Sequence, residues 1–129
     1  MVNAVATTDG DGTLAIVVWN GTVDVGKWAG DPALDRAVRL AVSGLPASAY
    51  RLHHRRLDEQ HSNINATWNR IANGRPWPDD DAWRALAGCD RLDDCTPVTE
   101  VQPDTGTLDT RFALPMPAVS LIELTPVDG

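Results

Sequence analysis

RRLDEQHSNINATWNRI, residues 55–71, decides the fold, because the spacing of apolar residues changes inside it. Just ahead of it, in AYRLHHRRLD (49–58), Tyr50, Leu52 and His54 alternate with Arg51, His53 and Arg55, the period of a half-buried strand. Beyond it, Ile64, Trp68, Ile71 and Ala72 stand at i, i+4, i+7 and i+8, which predicts a helix of about three turns. Ser62 or Asn63 is placed to cap its start, and Gly74 to close its end in the left-handed conformation. Between them, Asp58 and Asn63 have short acceptors suited to holding backbone amides in a turn. The stretch therefore reads as a strand end, a stapled turn and a capped helix.

On the N-terminal side, VNAVATT (2–8) and TLAIVVWN (13–20) flank DGDG (9–12), whose glycines accept the positive φ of a hairpin turn. DGDGT resembles the middle of an EF-hand loop. The ligand pattern fails, however, since the first and last ligand positions fall on Thr7 and Val18. Residues 20–35 have the Gly and Pro content of a long connection, in which Trp28 either anchors the loop or meets a ligand or partner. RAVRLAVSGL (36–45) alternates Val38, Leu40 and Val42 with Arg39, Ala41 and Ser43, and is expected to pair antiparallel with 49–58 as two strands of a meander.

On the C-terminal side a second helix is expected after Pro78. Asp79, Asp80 and Asp81 suit its N-terminus, Trp83, Leu86 and Ala87 form its apolar face, and Gly88 stops it. PVTEVQP (97–103), LDTRFALP (108–115) and AVSLIELTP (118–126) are strands bounded by prolines, with Leu108, Phe112 and Leu114 facing the core. The expected fold is mainly β: an antiparallel β-sandwich of about seven strands with two short helices inserted between the fourth and fifth. Residues 1–129 are expected to form one domain, with the helical excursion at about 62–88.

The totals exclude several roles. A formal charge of -7 disfavours nucleic acid and anionic membrane surfaces as partners. No apolar run has the length of a membrane span and no signal peptide precedes the first strand, so a soluble domain of unassigned compartment is expected. Cys89 and Cys95 are the only cysteines, and they are compatible with a small-loop disulfide worth ~2 kcal/mol or with two free thiols.

Catalytic signals are sparse. Asp58 and Glu59 are adjacent and leave an extended strand in opposite directions, so they cannot flank one bond as the paired carboxylates of a glycosidase do. His53 and His54 face opposite sides of their strand, which leaves any metal site with His61 short of ligands. No cysteine has a histidine partner in sequence, and no glycine-rich phosphate loop follows a strand. No catalytic, cofactor-binding or metal-binding residue is assigned.

The residues Arg56, Asp58, His61, Ser62, Asn63 and Trp68, followed by Pro78 and Trp83, resemble the R-x-D-x-x-H-S-N strand end and helix of the C-terminal accessory domain of glycoside hydrolase family 39, the β-xylosidase and α-L-iduronidase family. The closing strands resemble that domain's ending at Arg111, Phe112, Leu114, Pro115, Ala118, Val119, Ser120 and Leu121. The likeness runs from about Leu14 to Pro126. It implies a non-catalytic sandwich that braces a (β/α)8 barrel and helps shape its substrate entrance, the barrel itself needing ~250 residues absent here. It further implies that the segment from Asp58 to Trp83 faces the barrel, where Trp68, Trp77 or Trp83 would border a sugar; alternatively Trp68 and Trp83 fasten the helices to the sheet. A stand-alone carbohydrate-binding or protein-interaction module is the rival reading. Without a barrel to cover it, the chain is expected to self-associate through the excursion or a free sheet edge.

Overall fold

The computed structural model describes residues 1–22 and 31–127; Trp28 lies outside the described residues. Among the described residues eight strands form two antiparallel sheets. β1 (Val2–Thr8) and β2 (Leu14–Asn20) make the hairpin expected around 9–12. Asp9 Oδ1 accepts from the amides of Asp11 and Thr13, and Gly12 takes φ +82°, the left-handed value that favours glycine. β8 (Ala118–Pro126) pairs with β2 on one side and with β4 (Tyr50–Leu57) on the other. The far side of β4 carries β5 (Asp93–Asp94) and β6 (Thr99–Val101), completing the larger sheet. β3 (Arg36–Ser43) and β7 (Thr107–Leu114) form a separate two-stranded sheet.

The sheets meet through one side of β2, β3, β4, β7 and β8, the arrangement that hides alternate residues from water. Ile16, Val18, Ala118 and Ile122 from the larger sheet cluster with Leu114 from the smaller, and Val38, Leu40, Val42 and Phe112 pack against them. Tyr50, Leu108 and Leu124 form a second cluster nearer the other end. Leu108, Phe112 and Leu114 thus share the inward face that their i, i+4, i+6 spacing implied.

The structure corrects the expected meander. β3 and β4 are not partners; each belongs to a different sheet. The six-residue link between them resembles a hairpin in length but crosses the sandwich. Gly44 adopts φ +78°, the Leu45 amide donates to the Gly106 carbonyl, and the Ala47 amide donates to the Tyr50 hydroxyl, so the chain is led away from its predecessor. β5 was not anticipated at all, being only two residues of acidic sequence.

The excursion lies between β4 and β5. α1 (Ile64–Ile71) is shorter than the three turns expected, ending before Asn73 (φ +48°) and Gly74 (φ +77°), which turn the chain out of the helix. α2 (Asp80–Gly88) starts at Asp79, whose carboxylate accepts from the Ala82 amide. Its buried residues are Ala82 and Leu86, so the apolar face is rotated from the Trp83, Leu86 and Ala87 face expected, and Trp83 points outward. α1 and α2 are in contact, and the C-cap of α1, Ala72, is buried as Ala82 and Leu86 are, so small side chains rather than an indole fill the buried positions of the excursion.

Candidate functional site

The DEQHSN turn (58–63) closes on itself through a carboxylate. Asp58 Oδ1 accepts from the amides of Gln60 and His61, both at 2.8 Å, and from His61 Nδ1 at 2.9 Å. Burial alone would raise the Asp58 carboxyl pKa, but the bonds from His61 and Gln60 outweigh it and hold it below the ordinary carboxylate value. Ser62 sits at φ +54°, a position that only a tightly held non-glycine residue keeps. Its Oγ donates to the Arg56 carbonyl at 2.6 Å and accepts from the Asp93 amide at 2.7 Å. Asn63 is the N-cap of α1, its Oδ1 accepting from the Ala66 amide.

Beneath the turn runs a buried polar chain that the sequence did not announce. Arg56 and His54 both point inward from β4, at 6% and 5% exposure. Arg56 Nε donates to Ser120 Oγ at 3.1 Å, and His54 Nε2 lies 2.8 Å from the same oxygen. Ser120 therefore accepts from arginine while its own hydrogen is free to point at a neutral imidazole. Phe112 seats both groups: the His54 ring meets it edge-on at 4.9 Å, and the Arg56 guanidinium stands 5.8 Å from its centroid. Arg56 Nη1 faces Asp58 Oδ2 at 3.9 Å, which places a counter-charge beside a buried cation. Burial pushes the His54 pKa down to about 4, with the charges of Arg56 and His61 adding to the effect. The alternation of β4 did place His54 on the inner face. Arg56, two residues on, follows from the same period, and only the habit of placing arginines in solvent hides it.

At this end of the sandwich the turn overhangs a broad depression of about 1060 Å3. Its walls are the turn and the start of α1, the end of β2 at Trp19 to Gly21, and the Pro115–Pro117 link into β8, with Pro32 and with Asp35, whose carboxylate accepts from the Met116 amide. The Asn20 side chain floors it, donating to the carbonyls of Leu34 and Leu114.

The three tryptophans singled out from sequence do not share one surface role. Trp68 is half-buried on α1, Trp83 is 53% exposed, and Trp77, between Pro76 and Pro78, is 76% exposed. Cys89 and Cys95 are unbonded in this structure, Cys89 exposed and Cys95 half-buried. The Cys89 N–H closes the end of α2 on Leu86, and the Cys95 N–H donates to the His54 carbonyl. Among the described residues no group of three His, Cys, Asp or Glu side chains is placed to hold a metal ion.

What these elements define is a two-sheet antiparallel sandwich with a helical excursion, organised around a polar corner. No protein-family model and no curated protein matches the chain in sequence. Solved structures share its fold. The bacterial orthologue of human α-L-iduronidase aligns with 99% of this chain at TM-score 0.79 and 21% identity. The GH39 enzyme from Xanthomonas axonopodis pv. citri covers 96% at TM-score 0.73 and 18% identity, and a monomeric β-xylosidase from Caulobacter crescentus CB15 covers 97% at TM-score 0.63 and 21% identity. The chain spans only 22% of the first of these proteins and 26% of the other two. It therefore has the fold of one part of these larger enzymes.

Proposed function

We propose that the chain is the accessory sandwich of a family 39-like glycosidase and performs no chemistry of its own. The observation that carries this reading is the pairing of coverages: nearly all of this chain superposes on about a quarter of each enzyme. On this reading the sandwich braces a (β/α)8 barrel, and the corner at Asp58–Asn63 supports the surface nearest the substrate entrance.

The placement of the three glutamates agrees with a non-catalytic role. A retaining glycosidase needs two carboxyl groups about 5 Å apart. Glu123 on β8 and Glu100 on β6 flank β4 from opposite sides, opposite His53 and Arg51, so their backbones are two strand spacings across and two residues along, about 12 Å apart, and Glu123 is paired with Arg55. Glu59 lies two residues past Leu57, the end of β4, and Leu57 is itself four residues, or about 13 Å of strand, from His53, the partner of Glu123. The test is to read the gene upstream of Met1 for a barrel-sized region and to assay the protein with and without it on aryl xylosides and uronides. Hydrolysis that requires the barrel supports the proposal, and hydrolysis by residues 1–129 alone refutes it.

A second reading, a glycan-binding module, is favoured by one observation: Trp77 and Trp83 are both open to solvent on the excursion. Flat exposed rings stack on sugar faces. Saturable quenching of tryptophan fluorescence by xylo-oligosaccharides, lost in Trp77→Ala, would support this reading over the bracing role.

A further inference from the structure

Trp19, Val119 and Leu57 are direct cross-strand partners on β2, β8 and β4, and they form one row across three adjacent strands of the larger sheet. All three are large, apolar and exposed, Leu57 at 49% and Val119 at 39%, and all three border the depression under the 58–63 turn. Ile64, at the start of α1, is also exposed and borders the same depression. Four neighbouring apolar side chains around one concavity are more than the scattered single exposures of an ordinary surface.

The path of the chain says what would cover them. Met1 pairs with Gly21 in both directions, its amino group donating to the Gly21 carbonyl at 3.0 Å and its carbonyl accepting from the Gly21 amide at 3.3 Å. Gly21 lines the depression, one residue beyond the inward-facing Asn20 and two beyond Trp19. Any polypeptide joined ahead of Met1 emerges beside this row, whereas β8 ends at Pro126, next to Tyr50 at the opposite end of the sandwich.

We infer that the Trp19–Val119–Leu57 row, with Ile64 and the depression it borders, is the seat for the catalytic barrel of the parent glycosidase, joined through Met1. The inference rests on the accessory-domain reading and adds the surface. It moves the contact from the exposed tryptophans of the excursion to the end of the sheet. The 58–63 turn, locked by Asp58 and Ser62, then serves as a rigid wall against which a barrel loop packs.

Carbene footprinting read by mass spectrometry tests it, applied to residues 1–129 and to the longest natural reading frame containing them. Labelling of Trp19, Leu57 and Val119 is expected to fall about threefold or more in the longer protein, as in a well-packed interface, while Ala37 to Ala41 on β3 stays labelled. If a barrel is present and protection falls instead on Trp77 and Trp83 or on the outer face of β3 and β7, this inference is wrong and the accessory reading stands. If the reading frame holds no barrel, both fall. Val119→Glu, and Leu57→Gln as a milder variant, give a second readout. Each should move the Tm of residues 1–129 by less than about 2 °C and lower that of the longer protein by about 4 °C or more. Equal shifts in both proteins would overturn the inference.

Discussion

Ser62 and Asp93 bind each other in both directions: the Ser62 amide donates to Asp93 Oδ2 at 2.5 Å, and the Asp93 amide donates to Ser62 Oγ at 2.7 Å. Thirty-one residues apart in sequence, they tie the turn leaving β4 to the two-residue strand that returns to it, and so close the helical excursion at its base. Ser62→Ala should cost about 1–3 kcal/mol, because it leaves the buried ends of two hydrogen bonds unmade. Ser62→Gly relieves the positive φ while losing the same hydroxyl, and should be the less damaging of the pair. Urea unfolding of the two variants checks the order; equal stability for wild type and Ser62→Ala would mean that the hydroxyl holds nothing.

Asp58 supports more than the turn. Asp58→Ala removes the acceptor for three donors and the nearest counter-charge of buried Arg56, and should destabilise the chain by about 3–5 kcal/mol. Asp58→Asn keeps an acceptor and should cost less. Asn63→Ala, which removes only a helix cap, should cost about 1 kcal/mol. Chemical denaturation of the three variants should return them in that order.

Stability should fall in mild acid. The folded pKa of His54 is depressed to about 4, from an ordinary value near 6.5, so between those limits the unfolded chain binds a proton that the folded chain refuses. Stability is therefore complete above about pH 6.5, declines as pH falls toward 4, and gains no further loss from this group below that. Asp58, whose folded pKa is lowered, adds a loss at still lower pH as it is protonated. The urea midpoint followed from pH 7.5 to 4 should show the first decline, and His54→Gln should flatten it. An unchanged slope in that variant would assign the acid sensitivity to other groups.

Trp77→Ala and Trp83→Ala remove side chains that face solvent, and should each change stability by less than about 0.5 kcal/mol. Trp68→Ala, on the half-buried face of α1, should cost more. Thermal unfolding of the three proteins makes the comparison.

Much of this architecture was legible in the sequence where one period ran unbroken. The alternation at 49–58 placed Tyr50, Leu52 and His54 inward, and the switch to helical spacing after Asn63 put the excursion between β4 and the strands that follow. Pairing was not legible. Alternation says which face a residue takes and nothing about which strand lies beside it, so β3 was matched to its neighbour in sequence although Leu45 and Ala47 carry the chain into the other sheet. The outward side of Trp83 is hidden from sequence for a related reason, since several i, i+3 and i+4 combinations on a short helix look apolar and tertiary packing alone selects Ala82 and Leu86 as the buried pair. The polar corner was half visible: Asp58 and Asn63 announced a turn and a cap, whereas the link from Arg56 and His54 to Ser120 depends on β8 lying beside β4.

Glycoside turnover by the purified 129-residue chain, measured with sensitive aryl xylosides and uronides at high protein concentration, decides whether the sandwich is an accessory domain. An accessory domain gives no rate above buffer. A measurable rate that co-purifies with the chain and disappears in Glu59→Gln or Glu123→Gln would contradict that role, because the catalytic carboxylates would then lie within the sandwich itself.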